Sequence, residues 1–325
     1  MMINDVDVLV RPYLSNDLDI WDRFVTDSRN GTFLHMRAYL EYHVNRFPDT
    51  SLMIYIKDRL VALLPATVLG GMLYSHNGLT YGGLVIGRDF HASAAIPVFQ
   101  AIANWGLRLG LSALIYKPVP HIYHRMPAEE DLYALFRLGG RLVRRDLSTT
   151  LLLSDRYAYS KGRKSAVAKA ARNSVKVQVT EDFEGFMQIE KEHLESKHGV
   201  SPVHTSFELK LLASRFPENI KLIGAYKNQN ILGGVLTYTT GTVCHAQYIG
   251  ASMEGKEIGA LDACIDNILN SVTSNIRWFD FGISTTNEGR YLDEALLKNK
   301  ESWGGRSVVY DQYKLDLTGD IRAVI

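Results

Sequence analysis

Polar and apolar residues alternate through "KVQVT" at residues 176–180, the pattern of a strand with one buried face. A helical period follows, with Phe183, Phe186, Met187 and Leu194 on one face. After the loop "GVSPVH", Thr205 and Glu208 have the spacing of a capping box, and the helix they open must stop before Pro217. The apolar runs "IKLIGAY", "ILGGVLTYT" and "TVCHAQYIG" predict three strands joined by short polar turns. In "EIGALDACIDNILNSV", Leu261, Ile265, Ile268, Leu269 and Val272 form one helical stripe. A buried strand "IRWFDFG", a helix "EGRYLDEALLKNK" and a last strand "SVVYDQYKLDL" complete the order β-α-α-β-β-β-α-β-α-β.

The same order is legible from residue 7 to about 153, and residues recur with it. Arg-Phe-Pro occurs at Arg46 and again at Arg215, 169 positions on, and His76 and His245 have the same separation. "LSALIYKP" matches "NIRWFDFG", and the Gly-Gly-Arg of "LFRLGGR" recurs in "KESWGGR". Matches in order across a whole half indicate two copies of one fold, residues 1–158 and 159–325. The class expected is α/β, with a mixed sheet in each copy.

Composition agrees with two globular domains: 325 residues, 46% hydrophobic and 22% charged. A net charge of +1 gives no global attraction to DNA or anionic membranes. The first residues lack the basic and apolar regions of a signal peptide. The stretch from Leu60 to Tyr74 is broken by Pro65, Gly70 and Gly71, so no transmembrane anchor is expected and a cytoplasmic location is. Cys244 and Cys264 read as buried thiols.

Between the copies, "SKGRKSAVAKAARNSVK" carries six basic residues and no acid from Lys161 to Lys176. It is either a solvated linker helix or a cationic edge facing ligand phosphates. This linker, the element order and the terminal "ALLKNKESWGGR" resemble the GNAT superfamily of acyl-CoA N-acyltransferases, in the tandem form of Fem peptidyltransferases and their FemAB-like relatives. Lys300, Trp303 and Gly304 stand where that family has a lysine, two residues and an aromatic-glycine pair. The resemblance implies an N-acyltransferase without metal. Its donor would be acetyl-CoA or another acyl-CoA. Its acceptor would be a small molecule bearing an amine, such as an amino sugar or a polysaccharide precursor, free or nucleotide-linked. The alternatives are an aminoacyl-tRNA-dependent peptidyltransferase acting on a peptidoglycan precursor, and a tandem protein that only binds a ligand.

Direct acyl transfer needs a neutral amine, donors for the developing oxyanion and an acid for the leaving group. A diphosphate would sit where "HAQYIGASMEGKEIGALD" turns from strand to helix, with Gly250, Gly255, Gly259 and Ala260 allowing close approach and Lys256 adding charge. Leu261 departs from the small residue the family has at that place, and Glu257 excludes a P-loop. Leu135 replaces Lys300 in the first copy, which therefore reads as the copy that supports the acceptor. Lys300 is either an oxyanion donor or a lysine favoured by a helix C-terminus. Asp280, in an apolar strand, is either the base or a structural acceptor. Tyr248 and Gln247 lie on the strand beside the donor cleft, where His245 reads as a packing residue shared with His76. Lys197, His198 and His204 bracket the loop over the acceptor, and Ser284 and Glu288 follow a strand end, where binding residues gather.

Overall fold

The computed structural model describes residues 7–198, 201–272 and 275–318. They form two compact units. The first is 1–146 with 287–290 and 309–325; the second is 147–286 with 291–308. The division falls at Asp146/Leu147, ahead of the boundary at 158 that the repeat suggests, because the strands exchange. The strand Arg141–Leu152 ends the first copy, yet its residues from Leu147 on belong to the second unit. The strand Arg306–Asp316 ends the second copy, yet from Val309 on it belongs to the first unit.

In the first unit, strands Val8–Pro12, Leu52–Ile56, Arg59–Leu64 and Val85–Ile86 pair antiparallel in that order. Thr67–Leu69, Met72–Tyr74 and Ala113–Tyr116 form a second set, completed by Tyr313 to Asp316. The helix Ala95–Arg108 packs Val98, Phe99 and Ile102 into the core with Leu52, Ile54 and Leu64. Where one strand was expected to follow Arg59–Leu64, several short strands occur, since Pro65 and the positive-φ glycines Gly70 and Gly71 interrupt the run.

The second unit follows the expected order. Its strands run Leu147–Leu152, Trp278–Ile283, Val243–Ala251, Asn230–Thr239, Ile220–Lys227 and Lys176–Thr180 across the sheet. One face carries Ile223, Val235, Cys244 and Ala246, which pack with Cys264, Ile265 and Ile268 of the helix Ala260–Ser271. The other face lies under the helix Phe183–His198, whose Phe186 meets Gly234. Both cysteines are buried free thiols, as expected. Among the described residues, no helix is long and apolar enough to cross a membrane.

Two elements differ from expectation. The helix read from Glu257 onward is two helices, Met253–Ile258 and Ala260–Ser271, broken at Gly259. The helix read from Glu288 begins only at Glu294, where Asp293 caps it by accepting from the Leu296 amide. A short hairpin, Thr285–Thr286 with Tyr291–Leu292, precedes it.

Gly259 has φ +80, and a Cβ there would lie 2.5 Å from the Ala166 carbonyl oxygen of the helix Lys161–Arg172. Gly259→Ala should therefore destabilise the second unit by about 1–3 kcal/mol, measured as a lower denaturant midpoint. An unchanged midpoint would mean that the two helices do not depend on this close approach.

Candidate functional site

Strands Val243–Ala251 and Trp278–Ile283 run parallel but pair at only three positions, Val243↔Trp278, Cys244↔Phe279 and His245↔Asp280. Beyond His245 and Asp280 their pairing ends. The second strand has an irregularity between Asp280 and Ile283, and Gly282 there has φ +78. The first has a bulge, since Thr237 pairs with Ala246 and Leu236 with Tyr248, leaving Gln247 as the extra residue. Paired residues of antiparallel strands point to the same side, so the bulge has a defined effect. His245, Tyr248 and Gly250 oppose Tyr238, Leu236 and Gly234, and all lie on the face beneath the helix Phe183–His198. In a regular strand, residues three apart such as His245 and Tyr248 would face opposite ways.

Asp280 has 0% exposure. Its carboxyl accepts from Ser148 Oγ at 2.5 Å, from the Gly282 amide at 3.2 Å and from His245 Nδ1 at 2.7 Å. These three partners occupy the carboxyl oxygens. His245 is half-buried, and with the carboxylate on Nδ1 its other ring nitrogen, Nε2, is the one turned away from Asp280. His76 differs from His245: His76 is buried, stacks on His43 with ring centroids 5.2 Å apart and makes no hydrogen bond through its ring.

Lys300 is 6% exposed, near the end of the helix Glu294–Glu301. Its Nζ donates to the carbonyls of Gly282 (2.8 Å) and Ile283 (2.7 Å), the segment that leaves the sheet after Asp280. Burial lowers its pKa to about 8, partly countered by Asp280 and Asp293. Two ammonium hydrogens are thus committed to backbone, and contact with a reacting group would use the third. Tyr248 OH meets His204 Nδ1 at 2.9 Å and accepts from the His204 amide at 3.3 Å. Burial raises this phenol to about 12, so it stays protonated.

The structure thus gathers Asp280, Tyr248, Gln247, His204 and Lys300 in the second unit, where the two strands part. Ser284 follows on the same arm, buried, with its amide donating to the Leu147 carbonyl. Glu288 is not gathered with them: it is exposed, in a left-handed turn that belongs to the first unit. The side chains of Lys197 and His198 lie outside the described residues.

The glycines expected to cradle a diphosphate pack closely against other parts of the protein. The room beside Gly250 is taken by Glu190 Oε1, beside Gly255 by the Leu232 carbonyl, and beside Gly259 by the Ala166 carbonyl. Ser252 caps the helix Met253–Ile258 with its own side chain, and Ala260 is buried. Asp262 brings a carboxylate into the first turn of the helix Ala260–Ser271, where Arg163 pairs with it at 2.6 Å. Lys256 remains exposed. At the three glycines the place a side chain would take is thus filled by the protein's own atoms.

No family model matches the sequence, and no curated protein matches it. Solved structures do. The crystal structure of FemX matches with a TM-score of 0.63 at 11% identity, over 94% of this chain and 96% of that one. The C-terminal domain of a proposed lysylphosphatidylglycerol synthetase from Agrobacterium fabrum gives 0.61 at 11% identity, over 94% and 93%. L-PGS from Bacillus licheniformis gives 0.59 at 12% identity, over 92% and 91%.

The chain has the tandem GNAT-like fold.

In this tandem GNAT-like chain the parted strands belong to the second copy. The signals missed in the sequence are Glu190, Ser148 and the pairing of His245 with Asp280. Of these, only the coincidence of a histidine and an aspartate at the starts of two successive strands was available to find.

Lys300→Met removes the donors of two buried carbonyls and should cost about 1–3 kcal/mol, read from denaturation midpoints. The folded value near 8 lies below the ordinary 10.5, so the folded chain binds fewer protons than the unfolded chain between them. Stability should therefore rise with pH through that window in the wild type, where Lys117 contributes in the same sense, and Lys300→Met should make the rise shallower. The same slope in both proteins would show that the lysine is not buried in solution.

Proposed function

We propose that the protein transfers an acyl group from an activated carboxyl donor to the amine of an acceptor, by direct attack. One observation carries this: His245, held by the buried Asp280, shares a strand face with Tyr248 at the place where two parallel strands part. His245 Nε2 takes a proton from the amine as its nitrogen attacks the acyl carbon. The new C–N bond forms as the bond to the leaving group breaks, and the Tyr248 hydroxyl protonates that group. Gln247, the bulged residue, offers its backbone amide near the same point as a donor for the oxyanion. Lys300 positions the opposite arm through the Gly282 and Ile283 carbonyls.

Acetyl-CoA is the donor first implied by the resemblance, with an amino sugar or polysaccharide precursor as acceptor. The filled glycines favour the second reading, an aminoacyl-tRNA. So does the linker helix, whose Lys161, Lys164, Lys169 and Arg172 are exposed. A structural neighbour bears the name lysylphosphatidylglycerol synthetase, a product that joins an aminoacyl group to a lipid. This supports an acceptor from the cell envelope.

The test is transfer of labelled acyl groups to amino sugars and envelope precursors, from acetyl-CoA in one arm and aminoacyl-tRNA in the other. Transfer in either arm supports the reading and names the donor; none in both removes it. Asp280→Asn should keep the bonds from Ser148 and Gly282 but present an N–H to His245 Nδ1, leaving Nε2 protonated. Turnover should fall by roughly 10²–10⁴ with little change in melting temperature. Full turnover in this variant would exclude His245 as the base.

A further inference from the structure

The helix Phe183–His198 buries Phe183, Phe186, Met187 and Ile189 against the sheet. Among these apolar contacts lies Glu190, itself 4% exposed. Its Oε1 has no hydrogen-bond partner. The carboxyl rests on the strand at Gly250, where a Cβ would come within 1.9 Å of Oε1, so the missing side chain makes its place. Gly250 shares its strand face with Tyr248 and His245, and the carboxyl therefore points to the side on which the candidate base stands. That side is not closed. In a strand with sheet neighbours on both sides, His245, Gln247 and Tyr248 remain half-exposed, as they would beside an opening.

Glu190 is faced by Tyr248, with His204 bonded to it, from the sheet side and by Lys256 from the helix that follows the strand. Lys256 is exposed and makes no hydrogen bond to Oε1. Burial raises the carboxyl to about 7, so at neutral pH a large share is ionised while short of donors. An ionised carboxylate in such a place is unfavourable until a cation with hydrogens reaches it. A primary ammonium supplies three donors and one charge. A glutamine would satisfy a purely structural contact as well, without the charge.

We propose that Glu190 receives the ammonium group of the amine substrate, takes up the one proton that must leave before the nitrogen is neutral, and positions the amine on the strand face that carries His245. This rests on the acyl-transfer reading for the role of the amine, while its test reads binding alone.

Full-length protein carrying ¹³C-labelled glutamate is titrated with methylammonium and with D-glucosamine, and with N-acetyl-D-glucosamine as control. The Glu190 carboxyl resonance, assigned by its loss in Glu190→Gln, should shift with both amines and ignore the acetylated sugar. Amine affinity should fall at least tenfold in Glu190→Gln. Gly250→Ala, which keeps the carboxylate but displaces it, should also weaken binding. A Glu190 resonance indifferent to both amines up to tens of millimolar overturns the proposal, as does Glu190→Gln binding within twofold of wild type. If Glu190→Gln does not fold, the wild-type resonance, assigned instead from sequential backbone correlations, and Gly250→Ala decide. Glu190-dependent amine binding without transfer from either donor would retain this site and remove the transfer reading.

Discussion

A carboxyl group shut away from water needs hydrogen-bond donors, and the arrangement around Asp280 follows from that need. Three different segments supply them: Ser148 from the neighbouring strand, the Gly282 amide from its own turn, and His245 from the next strand. The Gly282 bond requires the backbone to fold back at a positive φ, which ends regular pairing on that arm. The histidine bond fixes a ring at the last paired position. One buried acid thus sets where the strands separate and which nitrogen faces outward. Replacing it by a hydrophobic residue would leave three donors unmatched, a heavier penalty than the loss of any one bond.

The turn after the strand Val243–Ala251 shows how one residue type serves opposite ends. Glycine makes room, and room is filled either by a ligand or by the protein. Here a carboxylate, a strand carbonyl and a helix carbonyl fill it. The basic linker helix is tied down in the same way, since Arg163 pairs with Asp262 and stacks over Trp303 while its other cations remain outward. The local chemistry is that of a packed helix junction.

Much of this fold was legible because periodicity and turn residues are local signals. The order of strands and helices in the second unit, and the odd aspartate within "RWFDFG", could be read directly. The pairing of His204 with Tyr248 and of His245 with Asp280 could not, since the first joins a loop to a strand and the second depends on sheet register, both settled only by the tertiary fold. Gln247 looks like any polar strand residue until the partner strand reveals the bulge. Glu190 was hidden for another reason: a polar residue within an amphipathic helix is assigned to the solvent face by default, and its burial depends on Gly250 far along the chain. Lys300 stands out in the sequence by its place before Trp303 and Gly304, but its carbonyl partners lie on an irregular turn that no period predicts.

The exchange of terminal strands between the two copies has a consequence for synthesis. The first unit lacks a sheet strand until Val309 to Asp316 has been made, so it cannot mature while the rest of the chain is still emerging. Neither half can be cut out as an independent piece at the repeat boundary, since each would leave with the other's strand.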